Sequence, residues 1–209
     1  MARKLDSKCE RCRRQGEKLF LKGERCYTPK CAMTRRAFAP GQHGQGSRSR
    51  VSEFGMQHRE KQKARHSYDV LERQFRRYFE EAARKHGVTG EQLLSTLERR
   101  LDNVVYRMQL AKSRRAARQV VRHGHILVNG QRVNLPSFQV SEGDTVSIGT
   151  TSVKLAYFEK IKESIQPKLI PQWLEVDVEA LKAEVTALPQ ASDVDQELRL
   201  GQIVEYYSR

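Results

Sequence analysis

Residues 113–137 read SRRAARQVVRHGHILVNGQRVNLPS, and the order of signals in this run decides the fold. Ser113 is a good helix N-cap and Gly124 a stop, with apolar residues at helical spacing between them. Projected at about 100° per residue, Arg114, Arg115, Arg118 and Arg122 share one arc, while Ala116, Ala117, Val120 and Val121 take the opposite side. This pattern predicts an apolar arc docked on the preceding helix and four guanidiniums facing out. After Gly124, the runs Ile126-Leu127-Val128 and Gln131-Arg132-Val133 flank Asn129-Gly130, a strong hairpin signal. A helix feeding a hairpin points to an α+β, mainly helical protein.

The flanks extend this reading. Upstream, Thr89 and Gln92 form a capping-box pattern ahead of Leu93, Leu97, Leu101, Val104, Val105 and Met108, predicting one long helix. Before it, Asp69 and Glu72 are placed like a cap for a helix carrying Leu71, Phe75, Tyr78, Phe79 and Ala82, with Gly87 as its stop. Downstream, the turn Glu142-Gly143-Asp144 introduces a strand at Thr145–Ile148. A helix around Lys154–Ile165, a stretch punctuated by Pro167, Pro171 and Pro189, and a terminal segment Ile203–Tyr207 complete the chain. Trp173, Tyr206 and Tyr207 are expected to pack a core or an interface.

All four cysteines lie near the N-terminus, as Cys9-x2-Cys12 and Cys26-x4-Cys31. Two short-spaced pairs across a loop let four thiolates converge on one ion, an arrangement that suits Zn2+ and can order a segment too small for its own core. The neighbouring Arg11, Arg13, Arg14, Lys22, Arg25 and Lys30 would offset the charge of such a centre. Four thiolates also suit an iron–sulfur cluster, and free or disulfide-bonded cysteines are a further possibility.

The chain carries 39 Lys and Arg against 25 Asp and Glu, a net charge of +14. Self-repulsion on that scale implies a polyanionic partner. The excess lies in residues 1–150, whereas residues 151–209 carry more acid than base and suit packing or a protein partner. GQHGQGSRSR (41–50) has no apolar side chain to enter a core and is expected to be an extended or disordered basic strap. HREKQKARH (58–66) could form one basic helical face or a solvated surface helix. No run approaches the roughly 20 apolar residues of a membrane span, and no signal peptide is visible, so a cytoplasmic protein is expected. Phosphate-loop, zinc-protease, nucleophile-elbow and dinucleotide motifs are absent, which argues against an enzyme. His123 and His125 lack further ligands for a metal and fit a nucleotide contact or a turn better.

Several stretches together resemble the bacterial small ribosomal subunit protein four family in its cysteine-containing form. They are KGERCYTPKCAM (22–33), PGQHG (40–44), REKQK (59–63), ERQFRRYFEEA (72–82), LERRLDNVVYRM (97–108), the run 113–137 and VEYYSR (204–209). The resemblance implies a non-enzymatic protein that binds the 5′ domain of 16S rRNA and nucleates its assembly. It also implies a place near the mRNA entry channel and a contact with small-subunit protein five that influences decoding accuracy. The implied architecture is a zinc module with a basic extension at 1–45 and a helical domain at 46–97, onto which 190–209 packs back. An inserted RNA-binding module of two helices and a small sheet occupies 98–189. Candidate RNA contacts are Arg114, Arg115, Arg118, Arg122 and His123 in that module. In the rest of the chain they are Arg35, Arg36, Gln42, His43, Arg48, Arg50, Arg59, Lys61, Lys63, Arg65, Arg73, Arg76 and Arg77. Cys9, Cys12, Cys26 and Cys31 are the candidate metal ligands. Gln109 stands where many members have glycine, so a different turn is expected there.

Overall fold

The computed structural model describes residues 6–46, 50–194 and 198–208. Its helices in chain order are α1 (Lys8–Gln15), α2 (Ala32–Arg35), α3 (Glu53–Ser67), α4 (Glu72–Ala83), α5 (Thr89–Glu98), α6 (Leu101–Arg107), α7 (Arg114–Arg122), α8 (Thr150–Val153), α9 (Ala156–Lys162) and α10 (Leu200–Tyr207). The strands are β1 (Ile126–Val128), β2 (Gln131–Arg132), β3 (Thr145–Ile148), β4 (Leu174–Asp177) and β5 (Lys182–Val185). The chain forms two compact units, Met1–Leu93 with Gln196–Arg209, and Leu94–Asp195. The division falls inside α5, a few residues before the expected boundary at 97/98, and the cysteine segment belongs to the first unit.

In the first unit α1 packs on α2 and α3, and α10 packs on α3. The stripe Phe75, Tyr78, Phe79 and Ala82 of α4 is buried, as its spacing predicts. Tyr207 of α10 stacks on Phe79 with ring centroids 4.5 Å apart, and its hydroxyl donates to Glu72 at 2.9 Å. Lys61 donates to the same carboxylate at 2.8 Å and lies 4.5 Å over the Tyr206 ring. Asp69 does not cap α4: Leu71 takes the cap position without a side-chain bond. Asp69 instead adopts a left-handed backbone (φ 50°) and accepts from Lys8 at 2.5 Å and Arg11 at 3.0 Å, tying α1 to the end of α3. Two nearby cations outbid a backbone N–H for a carboxylate.

The second unit sets α5, α6, α7 and α9 with an antiparallel sheet of order β2-β1-β3-β5-β4. Its core includes Leu101, Val104, Val105, Met108, Val121, Ile126, Val146, Phe158 and Trp173. The long helix expected through residue 108 is broken, because Arg100 is extended (ψ 133°) between α5 and α6. Residues 136–140 run alongside this break. The N–H groups of Leu101 and Asp102 donate to the carbonyls of Phe138 and Pro136, and that of Val140 donates to Arg99. The exposed N–H groups of a new helix start are thereby satisfied from outside the helix.

Two strands escaped the sequence reading. β4 and β5 pair in the Pro-punctuated stretch, with Leu174 opposite Val185 and Val176 opposite Ala183. The alternation Leu-Glu-Val-Asp and Lys-Ala-Glu-Val was a legible signal, but each run is only four residues long. The helix expected at Lys154–Ile165 is the shorter α9, preceded by the single turn of α8. Gln109 adopts the left-handed region that favours glycine (φ 60°). Its amide brackets residue 166, donating to the Gln166 carbonyl at 2.7 Å and accepting from its N–H at 2.9 Å.

Burial works against the charged form of Glu72, but hydrogen bonds from Lys61 and Tyr207 and the charges of Lys61 and Arg65 hold its carboxyl below the usual range. A depressed carboxyl contributes stability above its unfolded value, and that contribution is lost as pH falls through the folded one. Glu72→Gln should therefore destabilise the protein at neutral pH, with the gap from wild type narrowing from about pH 5 downwards, as seen in urea melts across pH. A gap that stays constant down to low pH would show that the charge on Glu72 is not what holds α10.

Candidate nucleic-acid interface

Helix α7 begins as its sequence predicts, with Ser113 Oγ accepting from the Ala116 N–H at 3.2 Å. Ala117, Val120 and Val121 are buried, and the helix packs against α6. The four arginines, however, do not all face out. Arg118 donates to Asp102 at 2.7 and 2.9 Å and is 14% exposed. Arg114 donates to Asn103 Oδ1 at 2.7 Å, lies 4.7 Å over the Tyr106 ring, and is 16% exposed. The wheel explains the split: at about 100° per residue Arg114 falls about 20° from Val121 and Arg118 about 60°, at the lip of the docked face. Arg115 and Arg122 lie farther round and are exposed.

Beneath this helix lies a network of buried charge. The Glu98 carboxylate is fully buried and accepts two bonds from Arg107, at 2.8 and 3.0 Å, and one from Asn103 at 2.8 Å. Asp102 accepts from Arg100 at 3.0 and 2.8 Å as well as from Arg118. Sequence reasoning missed these two acids as anchors. The signal was their position directly after Leu97 and Leu101 of the apolar stripe, with Arg99, Arg100 and Arg107 close by, since a buried carboxylate requires cations.

The hairpin forms as expected, with Asn129 (φ 50°) and Gly130 (φ 79°) as its turn. Gly124 is required at φ 74°, and a Cβ there would collide with the Arg132 guanidinium. That guanidinium donates to the His123 carbonyl at 3.1 Å, which pins the side chain across the end of α7. His123 is exposed. His125 Nδ1 lies 2.9 Å from Ser152 Oγ.

In the first unit the candidates divide in the same way. Arg35, Arg36, Gln42, His43, Arg50, Arg59, Arg73, Arg76 and Arg77 are exposed. Residues 41–46 form a turn in which the Gly44 N–H donates to Gly41, and Arg48 lies outside the described residues. Arg76 and Arg77 pair with Glu80 and Glu81 one turn on, at 3.1 and 2.8 Å. Such exposed pairs are worth little, so a phosphate can replace them. Lys61, Lys63 and Arg65 are buried, where an outward basic face was open as a reading of 58–66. Lys63 pairs with Glu17 at 2.6 Å, and Arg65 pairs with Glu72 at 3.4 Å. These three cations hold the unit together.

All four cysteines are free thiols, with Cys12, Cys26 and Cys31 buried and Cys9 half-buried. Burial, with added repulsion from Cys26, Cys9 and Cys31, pushes the Cys12 thiol up. The Lys22 N–H donates to Cys26 Sγ at 3.4 Å, the kind of bond that supports a thiolate. The donor set fits a four-thiolate ion, although no three His, Cys, Asp or Glu side chains among the described residues are drawn into a metal-holding arrangement. No helix among the described residues is long and apolar enough to cross a membrane.

Helices joined to one another by buried ion pairs, a small antiparallel sheet and a fringe of exposed arginines make this a basic α+β protein with a surface suited to a polyanion. Residues 3–98 match the family described as Ribosomal protein S4/S9 N-terminal domain, and residues 99–146 match the S4 domain. The chain is 54% identical to small ribosomal subunit protein uS4 of Pelotomaculum thermopropionicum and of Acetivibrio thermocellus, and 52% identical to that of Halothermothrix orenii. Each alignment covers 100% of both chains. The chain belongs to the uS4 family of small-subunit ribosomal proteins, a family of structural proteins, not enzymes.

Because Arg118 is bonded to a buried carboxylate, Arg118→Ala should cost about 1–3 kcal/mol of stability, less than loss of a sole partner because Arg100 remains on Asp102. Val120→Ala should cost about 1 kcal/mol or more by opening a cavity. Urea melts of both variants check this, and a wild-type melt for Arg118→Ala would mean that its bond to Asp102 contributes nothing.

Proposed function

We propose that this protein is a structural constituent of the small ribosomal subunit that binds the 5′ domain of 16S rRNA early and nucleates its assembly. The observation that carries the reading is the outer face of α7. Among the described residues Arg115 and Arg122 have no ion-pair partner, and a rigid helix holds them beside the exposed His123 and the pinned Arg132. A planar guanidinium donates in a fork that matches phosphate oxygens. Exposed Arg35, Arg36, Gln42, His43, Arg50, Arg59, Arg73, Arg76 and Arg77 supply a second set of contacts from the first unit. Membership of the family supports rRNA and neighbouring ribosomal proteins as partners, within the ribosome of the cytoplasm. The finer reading adds a contact with small-subunit protein five near the mRNA entry channel that tunes decoding accuracy.

The cysteine module belongs to this proposal as the holder of one structural Zn2+, with an iron–sulfur cluster as the alternative. Cys9, Cys12, Cys26 and Cys31 would hold the ion. When bound, it would cross-link α1 to the loop that ends at Cys31 and so fix Arg35 and Arg36 just beyond it.

Footprinting on 16S rRNA with purified full-length protein tests the first reading. Protection should concentrate in the 5′ domain, and duplex DNA should fail to compete. In the Arg115→Ala, Arg122→Ala double variant the slope of log affinity against log salt should fall by about 0.7–1 per lost contact, with thermal stability unchanged. An unchanged slope would take α7 out of the interface.

Elemental analysis of anaerobically purified protein tests the second reading. About one zinc per chain is expected, and Cys26→Ser should open residues 6–40 to proteolysis while leaving the second unit folded. Protein with neither zinc nor iron would overturn the metal site.

A further inference from the structure

Phosphate contacts leave one feature of the second unit without a role, a pocket of about 220 Å³ where α7 faces α9. Gln119 and Val120 line it from α7, Tyr157 and Phe158 from α9, and His123 and His125 from the turn between α7 and β1. Its rings are mutually packed: Tyr157 meets Phe158 edge-on at 5.0 Å, and His125 meets Phe158 edge-on at 5.8 Å. His123 and His125 lie 6.1 Å apart. Tyr157 is nonetheless 43% exposed, so part of an aromatic surface stays open to solvent.

Charge says what kind of molecule this surface receives. The lining contains no acidic side chain. Burial pushes the Tyr157 hydroxyl up, against the charge of Lys112, and burial with the charges of His123 and Arg132 pushes the His125 ring down. On the α7 wheel the exposed Arg115 and Arg122 fall about 40° and about 60° from Gln119, on the rim of the same face. An aromatic slot with cations around it and an amide in its lining suits a planar base attached to an anionic backbone. An unstacked base gains from lying on an aromatic side chain. The Gln119 amide offers one donor edge and one acceptor edge, the pair that reads a base edge.

We propose that this pocket receives one unpaired nucleobase of the bound RNA, stacked on Tyr157 and contacting Gln119, while Arg115 and Arg122 hold the flanking phosphates. The proposal rests on the RNA-binding reading above and adds a base contact to it.

The test uses full-length protein and a transcript of the 16S rRNA 5′ domain, with affinity measured across a salt series. Tyr157→Leu keeps apolar packing on Phe158 but removes the stacking face, whereas Tyr157→Phe keeps both. Tyr157→Leu should weaken binding about tenfold with an unchanged salt slope and near-normal melting, and Tyr157→Phe should bind like wild type. Ultraviolet cross-linking of wild type should join the α9 peptide to a single nucleotide that is unpaired in the RNA. Wild-type affinity for Tyr157→Leu, or a cross-link only to paired nucleotides, overturns the pocket assignment. If the Arg115 and Arg122 substitutions lower the salt slope while Tyr157→Leu has no effect, the phosphate interface stands and the base pocket falls. If wild-type protein shows no preference for the transcript over duplex DNA, both fall together.

Discussion

Two carboxylates buried under a helix of arginines fix how the helices of the second unit meet. The Glu98 side chain has no exposure and that of Asp102 has 4%, so each would carry a desolvation penalty of several kcal/mol if left unpaired. Arg107 answers Glu98 with two parallel bonds, and Arg100 answers Asp102 likewise. Such fork-to-carboxylate pairs define direction as well as distance. Asn103 accepts from Arg114 while donating to Glu98, so α5, α6 and α7 are joined by one continuous set of bonds. An apolar core tolerates small slides of one helix on another. Directed bonds such as those from Arg118 to Asp102 and from Arg114 to Asn103 do not, and the outer face of α7 inherits that fixed orientation.

The break at Arg100 serves the same network but is held open by residues 136–140. A continuous helix would have kept the N–H groups of Leu101 and Asp102 within its own ladder. In the observed arrangement they bond to the carbonyls of Phe138 and Pro136, and the Arg99 guanidinium donates to the Val140 carbonyl at 2.7 Å. The loop before β3 is thereby tied to the start of α6. Arg100, extended at the break, can then turn its side chain onto Asp102 two residues later.

What the sequence made legible was local. The α7 cap, the Gly124 stop, the Asn129-Gly130 turn and the α4 stripe each depend on residues within a few positions of one another, and each formed as read. What it hid was decided at long range. The interruption after α5 depends on residues 136–140, and the partners of Asp69 lie 58 and 61 positions away. β4 and β5 were hidden for a different reason. Four-residue strands with charged outward positions show alternation too brief to outweigh the prolines around them, and their pairing with β3 supplies what local propensity lacks. At the candidate site the wheel identified the arginines but treated them as equivalent, because a projection shows direction without showing what stands at the lip of the docked face.

That distinction changes what a net charge of +14 means for binding. A cation matched to a buried carboxylate cannot also release counterions from RNA, since leaving its partner would strand a charge in a low-dielectric interior. Arg114 and Arg118 belong to this held class. Lys61, Lys63 and Arg65 in the first unit are held differently, as buried cations whose partners Glu72 and Glu17 stay partly exposed; all five lie within segments that read from sequence as basic surface. Arg115 lies one position after Arg114, Arg122 one turn after Arg118 and Arg59 two positions before Lys61 along the same helices, and all three are exposed. A helix of this kind uses its basic residues in two roles: those at the edge of the apolar face fix the helix, and those beyond it meet the polyanion. Affinity then depends on the second group, and the precision with which that group is presented depends on the first.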